Sequence, residues 1–138
     1  MMEKTIIVYP AIAMMILTLF VYVKNYLDNR KAVINKSIEF SYFKAYQGQI
    51  PEYLAVSRQT LKNQFELPIF FYFLISIILV FDKVSQPDIM LAWIFVISRY
   101  LHCYIRLSSN KVLKRAKIFM FGMLVLIVWW AIFLYNIL

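Results

Sequence analysis

Two uncharged apolar runs, Thr5 to Val23 and Ile118 to Leu138, of 19 and 21 residues, constrain this chain more than any other feature. At about 1.5 Å per residue, each makes a helix long enough to cross, or nearly cross, a hydrocarbon core about 30 Å thick. Between them lie two weaker runs. Leu67 to Phe81 has 15 residues and spans only if it extends backward through Glu66 and Asn63, so its start is polar. The other opens after Pro87-Asp88, a natural helix start, and continues from Ile89 through Ser98 before admitting Arg99, His102 and Arg106. The expected fold is an all-α membrane protein, a four-transmembrane-helix bundle forming a single domain. Its helices are expected over about 5–27, 61–82, 88–107 and 113–138, with a cytoplasmic loop over about 28–60. Composition agrees: 63% of the residues are hydrophobic and 16% charged, against roughly 45–50% and 25% in a soluble domain. A chain this small cannot bury that excess alone, so lipid must cover it.

Ala11-Ile12-Ala13 has the small-x-small look of a signal cleavage site, but it sits inside the first apolar run rather than after it. The segment is therefore expected to stay as the first helix. The remaining inventory excludes whole chemistries. One cysteine, Cys103, and one histidine, His102, allow no intrachain disulfide, no multi-Cys/His zinc cage and no bis-histidine haem. The two glycines, Gly48 and Gly122, are too far apart for a phosphate-binding loop or dinucleotide fingerprint.

A net charge of +8 raises nucleic acid as a partner, but in a membrane chain clustered Lys and Arg set topology first. No nucleic-acid partner is expected. Lys24, Arg30, Lys31, Lys36, Lys44, Arg58 and Lys62 lie between the first two spans, and Arg106, Lys111, Lys114, Arg115 and Lys117 between the last two. Against these twelve, the opposite side has Lys83 and Lys4, so both termini are expected to face away from the cytoplasm. The first loop carries Phe40, Tyr42, Phe43, Tyr46 and Tyr53 and reads as ordered and interfacial.

Ionisable groups at membrane depth cost about 2.5–3.5 kcal/mol each on insertion scales and usually face a partner or the bundle interior. Glu66, Arg99 and His102 are the candidates. Arg99, His102 and Arg106 stand at i, i+3 and i+7, which puts them on one stripe of the third helix. Two readings are open. In the structural one, Glu66 pairs with Arg99 while Asn63 and His102 hydrogen-bond between helices. In the other, Arg115, Arg106, Lys62 and Asn63, with His102 deeper, form a cytoplasmic cleft for a small carboxylated ligand. Cys103 follows His102 but points about 100° away, so a Cys–His pair within the helix is not expected.

Asn63-Gln64-Phe65-Glu66-Leu67-Pro68 opening the second span, Arg99-Tyr100-Leu101-His102 in the third and Arg115 opening the fourth together resemble the MAPEG family. These are the membrane-associated proteins of eicosanoid and glutathione metabolism, and the resemblance covers essentially the whole chain. It implies a homotrimer that binds glutathione in clefts between subunits. By position, Lys62, Asn63, Glu66, His102 and Arg115 would contact the tripeptide, Arg30 would match a basic residue after the first helix, and Arg115 would lie nearest the sulfur. A guanidinium there favours the thiolate, the nucleophilic form of a thiol that titrates near pH ~8.5. A lipophilic electrophile would then arrive from the bilayer.

The sequence departs from the eicosanoid branches at three hydroxyls. Arg106 stands where they have a tyrosine four residues after the histidine, Ala116 where a serine follows the arginine, and Phe119 in place of a further tyrosine. Less specialised bacterial-type members fit better, which implies a bacterial inner membrane and a glutathione-dependent transferase or peroxidase. A non-enzymatic member with a structural polar network is the second expectation. A small transporter subunit is the third, demoted because the first span holds no carboxylate.

Overall fold

The structure, a computed structural model, describes residues 4–137. A 3-10 turn over Lys4–Ile7 leads into α1 (Val8–Ile34), followed by α2 (Tyr42–Ala45), α3 (Glu52–Asn63), α4 (Leu67–Val80), α5 (Gln86–Leu107) and α6 (Val112–Ile137). Four helical stretches are long and apolar enough to cross a membrane: Thr5–Ile34, Glu52–Val80, Gln86–Leu107 and Val112–Ile137. The second is α3 and α4 in series. No strand occurs among the described residues.

The helices pack along seams that the sequence writes as a 3.5-residue repeat. The inward positions of α1 are Pro10, Met14, Leu17, Val21, Asp28 and Ala32, and those of α6 include Gly122, Leu126, Trp129 and Phe133. On α5 the series runs Asp88, Ala92, Phe95, Arg99 and His102. This spacing keeps one face toward the neighbours at a shallow crossing angle. The core between them holds Phe71, Phe95 and Trp129, all fully buried, with the rings of Phe71 and Phe95 stacked at 4.9 Å. The polar stripe of α5 thus continues a seam that apolar residues begin.

Two closures fix α5 against α6. At the α5 start, Ser85 and Asp88 form a reciprocal capping box, and the second Asp88 oxygen accepts a hydrogen bond from Trp129 Nε1 at 2.7 Å. At mid-helix, a Cβ on Gly122 would lie 2.5 Å from Ser98 Oγ, so the two backbones approach as closely as only glycine allows.

The expected loop over 28–60 is largely helical. With 27 residues α1 is about 40 Å long, some 10 Å more than the hydrocarbon core, and it ends at Ile34 with Lys36 in the left-handed region (φ 53°). α3 packs beside this extension through Ala32, Ile38, Tyr42 and Leu54, and Asn25 Nδ2 donates to Ser57 Oγ at 3.2 Å. Its buried face is Leu54, Ser57, Thr60 and Asn63, too polar for hydropathy to reveal. Asp28, buried beneath, pairs with Lys24.

The expected single helix over 61–82 is interrupted. Pro68 has no N–H to give the Gln64 carbonyl, and its ring crowds that carbonyl, so the helix stops at Asn63 and restarts at Leu67. Glu66, at the restart, has φ −89° and ψ −88°.

Candidate functional site

The interruption at 64–66 creates the site. An unbroken helix would satisfy the Asn63 carbonyl internally; here Arg99 reaches across from α5 and donates Nη2–H to it at 3.1 Å. A cation there also meets the negative end of the α3 dipole, and broken backbone at membrane depth needs such a buried partner. Arg99 is 1% exposed, and its guanidinium lies 5.3 Å from the Phe119 ring centroid on α6.

The expected ion pair between Glu66 and Arg99 is not formed. Glu66 is exposed; with the Asn63 amide assigned the orientation that satisfies both of its ends, its nitrogen donates to Glu66 Oε2 at 3.3 Å and to the Gln59 carbonyl at 3.2 Å. Arg99 turns instead to a neutral carbonyl that the broken helix leaves open. Asn63 and His102 do tie helices together, each through a backbone carbonyl: Asn63 O accepts from Arg99, and His102 Nδ1 lies 3.1 Å from the Arg115 carbonyl oxygen. A carbonyl only accepts, so Nδ1 carries the proton of that bond. In the neutral ring Nε2 is then a bare acceptor, buried and without a partner among the described residues. The ring packs on Phe119 at 5.5 Å.

Arg115 stands half-buried at the start of α6, held by a hydrogen bond from Nη1 to Asn110 Oδ1. Its neighbours Lys111, Lys114 and Lys117 are exposed. Arg106, one turn below His102 on α5, is half-buried with its Nε shut from solvent and unpartnered. Lys62 is exposed in the last turn of α3. Arg30 lines a separate groove with Tyr26, Asn29, Val33, Ile34, Phe40 and Phe43. Cys103 is buried and lines a groove between α5 and α1, whereas His102 faces α6.

The centre of the arrangement holds an excess of donors. Arg99 Nε and Nη1 and Arg106 Nε are buried with no hydrogen-bond partner among the described residues. Leaving such groups unmade costs about 1–3 kcal/mol each, and more when they are charged. An anion with several acceptor oxygens is the chemistry that satisfies them. Gln64, one residue past the end of α3, was not foreseen: it is 3% exposed, neither amide atom has a partner among the described residues, and it lines a separate groove between α1 and α4 with Tyr22 and Tyr72. Its place directly after Asn63, in the stretch that Pro68 breaks, was the available signal.

The model of the MAPEG family matches residues 7–135, nearly the whole chain. No curated protein and no solved structure matches. Members of that family include glutathione transferases and peroxidases. With four helices able to span a bilayer and a match from end to end of the bundle, the chain is an integral membrane protein that belongs to the MAPEG family.

Proposed function

We propose that this protein is a glutathione-dependent transferase or peroxidase acting on lipophilic electrophiles. The observation that carries this reading is the buried Arg99 and the half-buried Arg106, whose shielded N–H groups, Arg99 Nε and Nη1 and Arg106 Nε, have no acceptor among the described residues. Glutathione brings two carboxylates and one ammonium. Lys62 and Arg106 take the carboxylates, and Asn63 and His102 Nε2 accept or donate along the peptide. Glu66, exposed and not paired with Arg99, is free to meet the ammonium. Arg115 at the mouth favours the thiolate. In the transfer step the thiol proton leaves to water, the thiolate sulfur bonds to an electrophilic carbon, and the leaving group departs with its electron pair.

The active form is a homotrimer in a bacterial inner membrane, with both termini away from the cytoplasm. The many apolar side chains left exposed on the single subunit and the unfilled donors support a site completed between copies. A second reading has an observation of its own. Arg99 and His102 each already bond a backbone carbonyl of a neighbouring element, as a purely structural polar network would. Calorimetric titration of the detergent-purified protein with glutathione, followed by a conjugation assay with an aryl halide, separates the two. Binding below millimolar concentration together with thioether formation supports the enzyme; no heat at millimolar glutathione leaves the structural network.

A further inference from the structure

Beyond the hydrocarbon core, α1 continues for about two turns and meets the segment 38–46, forming a groove of about 600 Å³ lined by Tyr26, Asn29, Arg30, Val33, Ile34, Phe40 and Phe43. We infer that this groove binds an anionic phospholipid of the surrounding leaflet, with Arg30 on the phosphate and the start of an acyl chain against the Phe40 and Phe43 rings. Three independent features of the groove support this.

The first is position. The uncharged stretch of α1 ends at Val23, so the groove begins within a turn of where the helix leaves the hydrocarbon, at the depth of the head groups. The second is its surface. Phe40 is 79% exposed, and Tyr26 and Ile34 are 65% and 66% exposed. Phe40 and Phe43 meet edge to face at 5.7 Å, so the aromatic wall is built rather than loose. Exposed aromatics at this level mark a bilayer interface.

The third is charge. Between residues 24 and 46 stand Lys24, Arg30, Lys31, Lys36 and Lys44 against Asp28 and Glu39. Asp28 is paired with Lys24, and Glu39 accepts from Ser41 Oγ at 3.1 Å. Arg30, Lys31, Lys36 and Lys44 are all exposed, and Arg30 is the charged residue in the groove lining. A guanidinium offers a phosphate two parallel donors, and each such cation near an anionic surface contributes about a fivefold gain in binding. Polar and apolar walls in one groove match a phospholipid rather than a free anion. None of the groove residues belongs to the Arg99 cluster, so the lipid reading gives Arg30 a role other than the glutathione contact that the family resemblance implies for it.

The test uses the full-length protein in a non-ionic detergent, titrated with dioctanoyl phosphatidylglycerol, dioctanoyl phosphatidylcholine or glycerol phosphate and followed by native mass spectrometry. The expected result is retention of phosphatidylglycerol at least fivefold tighter than phosphatidylcholine, with no retention of glycerol phosphate at the same concentration. Arg30→Gln should lower phosphatidylglycerol affinity about fivefold and leave phosphatidylcholine unchanged, while Phe40→Ser should weaken both. Equal affinity for the two lipids, binding of glycerol phosphate alone, or an Arg30→Gln variant that behaves like the parent would overturn the inference. So would a Phe40→Ser variant that dissociates an oligomer without altering lipid retention, because the groove would then be a contact between copies.

Discussion

Replacing Arg99 by Met tests whether the buried guanidinium is there for the fold or for a ligand. Its loss removes a charge-assisted hydrogen bond to the Asn63 carbonyl, about 1.5–3 kcal/mol, and a cation–π contact with Phe119, about 0.5–2 kcal/mol. It also removes a charge whose insertion at membrane depth costs about 2.5–3.5 kcal/mol and which forms no direct ion pair with a carboxylate among the described residues. The two sides nearly cancel, so without glutathione the variant should stay within about 2 kcal/mol of the parent. With glutathione at about a hundred times its dissociation constant the parent gains about 2.7 kcal/mol, and Arg99→Met should gain little of it. Thermal melting in detergent, with and without glutathione, reads both quantities. Glu66→Gln serves as the control. Were Glu66 the buried partner of Arg99, that change would cost about 3–5 kcal/mol; exposed as it is, it should cost less than about 1 kcal/mol. A ligand-free Arg99→Met protein destabilised well beyond 2 kcal/mol, with an unchanged response to glutathione, would refute the reasoning.

Arg115→Ala should lower the conjugation rate constant more than glutathione affinity, because its contact strengthens as the thiolate forms, and Lys62→Ala should do the reverse; steady-state kinetics beside calorimetry separate them. Gly122→Ala should destabilise by about 1–3 kcal/mol through the 2.5 Å approach to Ser98 Oγ, and Ser98→Ala in the same chain should recover most of it, since only the Ser98 Cβ at 3.5 Å then remains. Melting of the single and double variants checks this. Asp88→Ala removes both the Asp88 half of the α5 capping box and the acceptor of Trp129 Nε1, so a loss of about 2–4 kcal/mol is expected in the same assay, with Trp129→Phe costing less. For topology, cysteines engineered at Lys44 and Lys83 should label from opposite sides of sealed vesicles, Lys44 from the cytoplasmic side.

The first and last spans were legible because twenty or so apolar residues in a row admit few other folds, the two between them from shorter runs with polar ends, and the family from short polar motifs in fixed order. The stripe Arg99, His102 and Arg106 followed from spacing alone. What could not be read was the choice of partner. Charge bookkeeping pairs Glu66 with Arg99, yet the helix breaks after Asn63, three residues before the carboxylate could be fixed inward, and the Asn63 carbonyl left open by that break is the group Arg99 meets. α3 escaped notice for a related reason. Its inward face is Leu54, Ser57, Thr60 and Asn63, so hydropathy marks it as loop, while its packing on α1 depends on small side chains and the Asn25–Ser57 hydrogen bond. Phe119 was read only as a missing hydroxyl; in place it is the surface on which Arg99 and His102 both rest.

The same break that ends α3 also divides the work of Arg99. A guanidinium is planar, with donors on more than one edge. Nη2 is committed to the Asn63 carbonyl, which anchors the side chain and fixes the plane against Phe119, while Nε and Nη1 stay unpaired. An ammonium in its place has no such fixed fork: tethered to the same carbonyl, its remaining donors would rotate freely. His102 divides in the same manner, with Nδ1 on the Arg115 carbonyl and Nε2 left open. Arg99 and His102 thus each use one polar edge to lock helices and keep another unsatisfied. A network built for packing alone gains nothing from the unsatisfied edges, because each costs desolvation without return. Their retention at the centre of the bundle is the physical ground for reading the site as one that takes a ligand.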